Sequence, residues 1–181
     1  MTVRPIVQYP DPRLRQPTAV VTAFDDSLRE LAADLLDSMK AAQGIGITAP
    51  HIGVLQRVMV IQLTEDESPR TYVNPKVVWS SAEKSRNDEG SISMSDAGAE
   101  VERPAKVRIT YQDLDGKEHE EEADGLLAVC HQHEIDQLDG IFWVQKLSPL
   151  RRERVVKRHE KIQKLRRTAA AAQAAAAQDE K

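Results

Sequence analysis

The chain has 181 residues, of which 40% are hydrophobic and 30% charged, and its formal net charge is −4. This length predicts one domain with a substantial core, because a globule of this size buries roughly 70% of the surface that its extended chain exposes. The single cysteine excludes an internal disulfide framework. The sequence has no apolar run long enough for a signal peptide or a spanning helix, so we expect a cytoplasmic protein without membrane contact.

The charge is unevenly distributed along the chain. Residues 151–167 hold nine Arg or Lys and two Glu, a net charge of +7, and residues 168–181 have a net charge of −1, so residues 1–150 have −10. We therefore divide the chain into a domain at residues 1–167, with a basic C-terminal helix at 148–167, and a tail at 168–181. The tail is rich in alanine and has nothing to pack against, so we expect it to be frayed or disordered.

The N-terminal part predicts an extended arm and then a helix. Four prolines within the first 17 residues disfavour regular helix there. The first helix is predicted to begin with a capping box at Ser27 and to stop at Gly44. The glycines of the following stretch, Gly44 to Gly53, allow backbone amides to approach a ligand closely. A bulge or a tight turn explains the same pattern without any ligand.

Alternating and apolar runs predict an antiparallel or mixed sheet. The clearest signal is a β-hairpin across Asp115-Gly116, and a polar turn region is predicted after Trp79. A helix is predicted to begin at Gly125, directly after the hairpin. Together these elements indicate an α+β fold. The predicted strands are residues 57–63, 76–79, 106–112 and 118–124.

The most specific functional pattern lies on that helix, between Cys130 and Gly140. His133 and Gln137 are four residues apart and so share one helix face, with Glu134 beside them. This is the spacing of the His-Glu-x-x-His metal helix, in which two imidazoles bind a cation and the carboxylate acts as general base. Gln137 stands in place of the second imidazole, and an amide oxygen is a poor ligand for a transition metal. We interpret Cys130 as a small buried hydrophobic residue.

Two other polar residues have no functional meaning by themselves. Ser91 lies in a short polar segment typical of a turn, and it does not occupy a Gly-x-Ser-x-Gly elbow. His51 lies within the glycine-rich stretch, and a single histidine is more often a hydrogen-bonded structural residue than a catalyst.

Three separated motifs nevertheless occur in the order found in peptide deformylases, and the chain resembles that family over residues 4–167. The first family motif, Gly-x-Gly-x-Ala-Ala-x-Gln, is matched at Gly44, Gly46 and Ala49. Thr48 replaces an alanine of this motif, and His51 replaces its glutamine.

The second and third motifs also show one departure each. The second, Glu-Gly-Cys-x-Ser, is matched at Glu89, Gly90 and Ser93, with Ser91 in place of the cysteine. The third, His-Glu-x-x-His, has its first two residues, and Gln137 replaces the second histidine.

The family consists of metal-dependent hydrolases that remove the formyl group from the N-terminal methionine of new polypeptides. The resemblance implies an α+β fold around the metal-motif helix, Fe²⁺ (or Zn²⁺ or Ni²⁺) as cofactor, and a formyl-Met peptide or nascent chain as partner. The implied metal positions are Ser91, His133 and Gln137. The implied catalytic positions are Glu134 as proton carrier, the backbone N–H of Ile92 as oxyanion donor, Gly46 and His51.

The departures leave three hypotheses open. In the first, metal-dependent hydrolysis is lost or much weakened, because the metal site is absent or very weak. In the second, an active site is rearranged around His51, His133 and Glu134, with Gln137 donating to the oxyanion. In the third, a non-catalytic protein binds formyl peptides or the ribosome. The basic C-terminal helix is either a solvated surface helix or, as the resemblance implies, a contact for rRNA phosphates; we expect no binding to DNA.

Overall fold

The computed structural model describes residues 2–179. The three α-helices are α1 (Asp26–Ala41), α2 (Gly125–Leu138) and α3 (Pro149–Asp179). The strands are β1 (Gly46–Thr48), β2 (Val58–Ile61), β3 (Arg70–Ser80), β4 (Lys84–Gly90), β5 (Gly98–Pro104), β6 (Lys106–Gln112) and β7 (Glu118–Asp124). A five-stranded sheet has the order β1-β2-β3-β6-β7, and β4 pairs with β5 in a second sheet. All of these pairs are antiparallel, which confirms the predicted α+β fold.

Helix α2 lies at the centre of the molecule, as predicted for the helix with the metal motif. Ile135 and Leu138 pack on one side of it against a cluster from the five-stranded sheet that includes Met59, Tyr72 and Ile109. Helix α1 covers a second cluster on β1, β2 and β3, and a third cluster lies under the N-terminal arm and α3. Because α2 also contacts β1 and β5, it joins the two sheets.

Helix α1 begins earlier than the predicted capping box. Its N-cap is Asp25, whose carboxylate accepts hydrogen bonds from the backbone N–H of Leu28 at 3.2 Å and from the Ser27 hydroxyl at 2.6 Å. The prediction that Ser27 starts the helix was therefore wrong, because an aspartate two residues earlier takes the capping position. The helix ends at Ala41, before Gly44.

The predicted β6–β7 hairpin is confirmed, with Lys106 opposite Asp124 and Gln112 opposite Glu118. The strand predicted at residues 76–79 is part of a longer strand, β3, which has an irregularity after Val73. Asn74 has a φ of 53°, and its side chain holds this conformation through hydrogen bonds to both backbone groups of Val21. A polar residue that accepts the left-handed region lets the strand continue through the bulge.

The polar turn region predicted after Trp79 is in fact the β4–β5 hairpin. Its strands were missed because their outward positions are charged, as in the ion pair of Arg86 with Glu102 at 3.1 Å. Val101 provides one of its few buried apolar side chains. Without a clear apolar alternation the sequence pattern does not indicate a strand.

The N-terminal arm is extended, apart from one 3-10 turn at Pro12–Arg15, as the prolines predicted. It is bound to two other segments of the chain: the backbone N–H of Val7 donates to the His51 carbonyl at 2.8 Å, and that of Tyr9 donates to the Ser93 carbonyl at 2.9 Å. The arm therefore fastens together the glycine-rich segment and the segment that follows β4.

Helix α3 begins at Pro149, as predicted, and continues through Asp179, beyond the predicted end at residue 167. Val155, Val156 and the buried His159 attach it to the body. The frayed tail stays a prediction, and its residues 180–181 lie outside the described residues. Within residues 2–179, the helices are all too short or too polar to cross a membrane.

Candidate active site

A cavity of about 400 Å³ lies between β1, the end of β4 and α2. It brings together residues that are far apart in the sequence. Of the seven site residues predicted from the sequence, six line this cavity: Gly46, His51, Ser91, Ile92, His133 and Glu134. Gln137 does not.

Gly46 is required by the close approach of β1 to α2. A Cβ atom on Gly46 would lie 2.5 Å from Glu134 Oε1 and 3.1 Å from its carboxyl carbon, so any larger residue would displace this side chain. The alternating glycines of the first motif thus have a packing reason: one of them makes room for the carboxylate of the third motif.

Glu134 is a buried carboxylate with an incomplete set of partners. It is 5% exposed, and its Oε2 has no hydrogen-bond partner among the described residues. Burial raises the pKa of Glu134 to about 7, although the positive charges of His133 and Arg103 oppose the rise. A carboxyl group with this pKa exchanges a proton near neutral pH, as general acid–base chemistry requires.

His133 is oriented by an ion network behind the cavity. Its Nδ1 lies 2.9 Å from Glu89 Oε2, which leaves Nε2 as the nitrogen available to the cavity. Arg103 donates to both oxygens of Glu89, at 2.5 and 2.9 Å, and to Asp136 at 2.6 Å. Burial by itself would lower the pKa of His133, but the hydrogen bond to Glu89 and the charges of Glu134 and Glu89 together raise it.

Glu89 stays ionised in this network. Burial by itself would raise the pKa of Glu89, but the hydrogen bonds from His133 and Arg103 outweigh burial and lower the pKa to about 2. Sequence reasoning placed Glu89 in a motif but missed Arg103 and Asp136. Their contact requires the β4–β5 hairpin to pack on α2, and that hairpin was not predicted.

His51 is 2% exposed, and its two ring nitrogens have different environments. Nδ1 accepts a hydrogen bond from the backbone N–H of Thr48 at 2.9 Å, and the Thr48 hydroxyl is also 2.9 Å away. Nε2 has no partner in the part of the chain that the structure describes. Burial, together with the positive charge of His133, lowers the pKa of His51 to about 3, so the ring is neutral at physiological pH.

Gln137 is turned away from the cavity. Its side-chain amide donates to the backbone carbonyl of Leu14 at 2.8 Å, and the residue is 2% exposed. Gln137 therefore fastens α2 to the N-terminal arm. Position 137 alone does not tell which way the amide points, because the acceptor lies 123 residues earlier.

Ser91 and Ile92 lie at the start of the 3-10 helix Ile92–Met94. The Ser91 hydroxyl accepts from the backbone N–H of Ser93 at 3.2 Å and so caps this helix. Ile92 is its first residue, and the first N–H groups of a helix have no partner within it, so this N–H can serve a ligand.

Cys130 also lines the cavity, where burial and the charges of Glu134 and Glu89 raise its pKa to about 12 and keep it a thiol.

A metal ion in this cavity would need several donor atoms that point at one centre. Within residues 2–179, no three side chains of His, Cys, Asp or Glu converge as a metal site would require. Of the three positions that the resemblance implies, only His133 offers an imidazole nitrogen to the cavity. Ser91 offers a neutral hydroxyl and Gln137 is bound to Leu14. This set does not fit Fe²⁺, Zn²⁺ or Ni²⁺, which bind best to thiolate and imidazole.

Comparison with known proteins agrees with the motifs and the fold. A family model described as polypeptide deformylase matches residues 3–153. The chain belongs to the peptide deformylase family. A relative from Brucella melitensis, named peptide deformylase-like, is 64% identical over 164 residues that cover 91% of this chain and all of the relative. A peptide deformylase from Rhizobium meliloti is 46% identical, covering 92% of this chain and 97% of the relative.

The fold of a solved peptide deformylase is also similar. The crystal structure of a peptide deformylase from Legionella pneumophila superposes with a TM-score of 0.86 at 38% identity, covering 91% of this chain and 98% of that one. The deformylase scaffold, a hydrolase fold, is therefore present from the arm to α3, and the family predicted from the motifs is confirmed.

Removing Arg103 should destabilise this deformylase fold far more than removing an exposed arginine of the same hairpin. Arg103→Met leaves the buried Glu89 carboxylate without its main partner, and we expect a loss of about 3–5 kcal/mol in the free energy of unfolding. Arg86→Met, which removes only exposed ion pairs, should cost about 1 kcal/mol or less. Urea unfolding at pH 7 measures both, and equal losses would contradict the role of the network.

Glu134→Gln should stabilise the fold more at pH 8 than at pH 5. The pKa of Glu134 is raised from 4.5 to about 7, so the native state becomes less stable as pH rises through this interval, and glutamine does not ionise. We expect the benefit to be about 1–3 kcal/mol larger at pH 8, by urea unfolding. The exposed Glu30→Gln is the matched control, because it makes the same substitution away from the cavity.

Proposed function

We propose that this protein binds the formylated N-terminus of a peptide in the deformylase cavity and has lost most or all of the metal-dependent hydrolysis. The observation that carries the proposal is the hydrogen bond from Gln137 to the Leu14 carbonyl. A side chain that is hydrogen-bonded to the backbone of the arm and turned away from the cavity does not serve as the third metal ligand. The cytoplasm, where nascent chains are made, is the compartment in which such a protein would act.

The size of the expected loss follows from the ligands. Changing a residue that only supports a metal ligand costs about 10- to 100-fold in metal affinity or activity, and a changed ligand should cost at least as much. Here two ligand positions differ from the family motif. Ser91 adds a charge difference, because a metal-bound cysteine is a thiolate whereas a serine hydroxyl normally stays neutral. If each of the two changed ligands costs about 10- to 100-fold, turnover should be about 10²- to 10⁴-fold below that of a peptide deformylase.

The rest of the cavity still suits a formyl-Met peptide. Its walls include the apolar side chains of Ile45, Leu126 and Val129. Ile45 and Leu126 are 39% and 52% exposed, so apolar surface is open to an incoming side chain. A peptide that begins with methionine has the apolar group that such walls bind.

An active hydrolase rearranged around His51, His133 and Glu134 is less well supported. A metal would have to bind the free Nε2 lone pair of His51, which requires the proton to be on Nδ1. Nδ1 instead accepts the backbone N–H of Thr48, so it carries no proton. His133 and Glu134 alone are too few ligands for a tight site.

Metal content and turnover test the proposal directly. The purified protein, loaded with Fe²⁺, Ni²⁺ or Zn²⁺ and then desalted, should retain well under one equivalent of metal. It should bind a formyl-Met tripeptide without releasing formate at a deformylase rate. Metal analysis, calorimetric titration with the peptide and a formate assay give the three results. One full equivalent of metal together with ordinary turnover would refute the proposal.

The double variant Ser91→Cys/Gln137→His is the matched control for this test. It restores the thiolate and the second imidazole of the motif, so we expect it to retain more metal and to release formate faster than the wild type. The single variant Ser91→Cys should gain much less, because the introduced thiolate and His133 are still only two ligands. Wild-type failure to bind the peptide would refute the binding part of the proposal whatever the double variant does.

We also propose that α3 contacts ribosomal RNA. Its apolar edge is used for attachment to the body, whereas several basic side chains on the helix are exposed: Arg154, Arg158, Lys161, Lys164 and Arg167. An exposed row of positive charge on an acidic body suits a polyanion, and such binding weakens as salt rises.

Charge reversal on α3 tests ribosome binding. Arg154→Glu/Arg158→Glu/Lys161→Glu should abolish cosedimentation with 70S ribosomes at low salt, because three phosphate contacts become repulsive. The control Lys40→Glu/Lys76→Glu/Lys117→Glu makes the same change of charge elsewhere on the surface and should still cosediment. If both variants lose binding equally, the attraction is a property of net charge and not of the helix.

A further inference from the structure

Glu89, Ser91 and His133 come together where strand β4 ends, and all three line the cavity. Ser91 has an extended backbone, with φ −142° and ψ 144°, and follows Glu89 by two residues. Side chains two residues apart on an extended chain point to the same side, about 7 Å from each other. The imidazole of His133 lies against the first of them, with Nδ1 2.9 Å from Glu89 Oε2. This spacing allows one imidazole ring to lie between the carboxylate and the serine.

Glu89 determines which nitrogen of a neutral His133 carries the proton. Both Glu89 oxygens accept hydrogen bonds from the Arg103 guanidinium, so this carboxylate is an acceptor for the ring as well. Nδ1 therefore donates to Glu89, and the lone pair of the neutral ring lies on Nε2, on the side of the cavity. Serine hydrolases use a carboxylate in this way, to hold an imidazole that takes the proton of a serine hydroxyl.

The Ser91 hydroxyl has a proton to give. Its oxygen accepts from the backbone N–H of Ser93 at 3.2 Å, and this bond uses a lone pair of the oxygen, not its proton. The structure shows no hydrogen bond from this hydroxyl to His133 within residues 2–179. Rotation about χ1 moves the hydroxyl among three staggered positions, and catalytic hydrogen bonds often tighten only when substrate is bound.

The residue that weakens the metal site is the one that such a triad requires. Ser91 stands where the deformylase motif has the metal-binding cysteine, and its neutral hydroxyl is a poor metal ligand. An alcohol beside an oriented imidazole is instead a nucleophile. The backbone N–H of the next residue, Ile92, is placed as in other serine hydrolases, where this group binds the oxygen of the attacked carbonyl.

We propose that Ser91, His133 and Glu89 form a metal-independent site that hydrolyses small carboxylic esters. Ser91 and His133 are the catalytic residues, and Glu89 is a positioning residue that acts through the imidazole. The exposed apolar side chains of Ile45 and Leu126 at the cavity favour an uncharged acyl group. Esters are the substrate class because an alcohol is a better leaving group than an amine. This activity goes beyond the peptide binding proposed above and does not depend on it.

The reaction consists of two acyl transfers. Ser91 Oγ attacks the acyl carbon while its proton passes to His133 Nε2, and the negative carbonyl oxygen accepts the Ile92 N–H. The bond from the acyl carbon to the ester oxygen then breaks, and the alcohol leaves with the proton from Nε2. Water attacks the acyl–Ser91 ester and gives one proton to Nε2. The carboxylic acid is released as Ser91 Oγ takes that proton back. Water is the only co-reactant, and nothing is oxidised or reduced.

Ester turnover by the chelator-treated protein tests this site. Full-length wild type, before and after treatment with EDTA and desalting, should hydrolyse 4-nitrophenyl acetate above the buffer rate and equally in both states. Ser91→Ala and His133→Gln should each lower this rate by about 10²- to 10⁴-fold. The double variant should be no slower than either single variant, because residues that act as one unit are not additive.

The matched control is Ser95→Ala, which makes the same substitution at the other serine that lines the cavity. It should keep the wild-type rate, because Ser95 has no role in the proposal. Hydrolysis that persists in Ser91→Ala comes from other surface groups and would overturn the proposal. A rate that disappears on chelation, or wild type no faster than buffer, would overturn it as well.

Covalent labelling identifies the nucleophile without any variant. A fluorophosphonate loses fluoride when an activated serine oxygen attacks its phosphorus, and the new P–O bond is stable. Peptide mapping of labelled wild type by mass spectrometry should place the label on Ser91. A label on Ser95 or elsewhere, or no label at all, would contradict the proposal.

Glu89→Gln tests the positioning role. An amide can donate to Nδ1 and so favour the wrong tautomer, so kcat for the ester should fall while KM stays nearly unchanged. Circular dichroism at the assay temperature establishes that the variant is folded, and an unchanged kcat in folded protein would remove Glu89 from the triad. Failure of ester hydrolysis leaves the proposed peptide binding standing, because the two are measured with different ligands.

Discussion

The buried ion network of Glu89, Arg103 and Asp136 is the interaction on which the cavity depends. Its members come from β4, β5 and α2, so it joins the small sheet to the central helix. The β4–β5 hairpin has few buried apolar side chains, and its position is therefore set by charge pairing more than by hydrophobic area. Buried charges are costly to leave unpaired, which makes this arrangement specific. His133 takes its orientation from the same network, since its Nδ1 is bonded to Glu89.

The N-terminal arm provides the second constraint. It bonds to the backbone at His51 and Ser93, and it receives the side chain of Gln137 from α2. Three walls of the cavity are thus held by one extended segment that has almost no secondary structure of its own. Substitutions in the arm should therefore shift the residues that line the cavity, although no side chain of arm residues 2–17 lines it.

The sequence indicated the fold and the position of the cavity because motif order and the strong hairpin signal are local patterns. The family resemblance alone predicted that seven residues share one site, and six of them line the cavity. It could not show that Gln137 faces the arm or that Arg103 supports the site, because both contacts join segments more than 30 residues apart. The Asp25 cap and the charged β4–β5 strands were missed for a different reason. Ser27 matches the pattern of a capping box, and the charged strands match the pattern of a polar turn region. The roles of the cavity residues and the loss of metal stay predictions.

The replaced residues are well accommodated, and this bears on how the departures arose. Gln137 is hydrogen-bonded to Leu14, Ser91 caps a 3-10 helix, and Thr48 and His51 are hydrogen-bonded to each other. A site that had only accumulated damage would be expected to leave its new polar groups unsatisfied, because nothing would select partners for them. Here the unsatisfied buried atoms at the cavity, among the residues that the structure describes, are His51 Nε2 and Glu134 Oε2, one a donor and the other a carboxylate oxygen. At the cavity, this free-energy cost lies on two atoms that a bound ligand could satisfy, which favours a cavity maintained for binding.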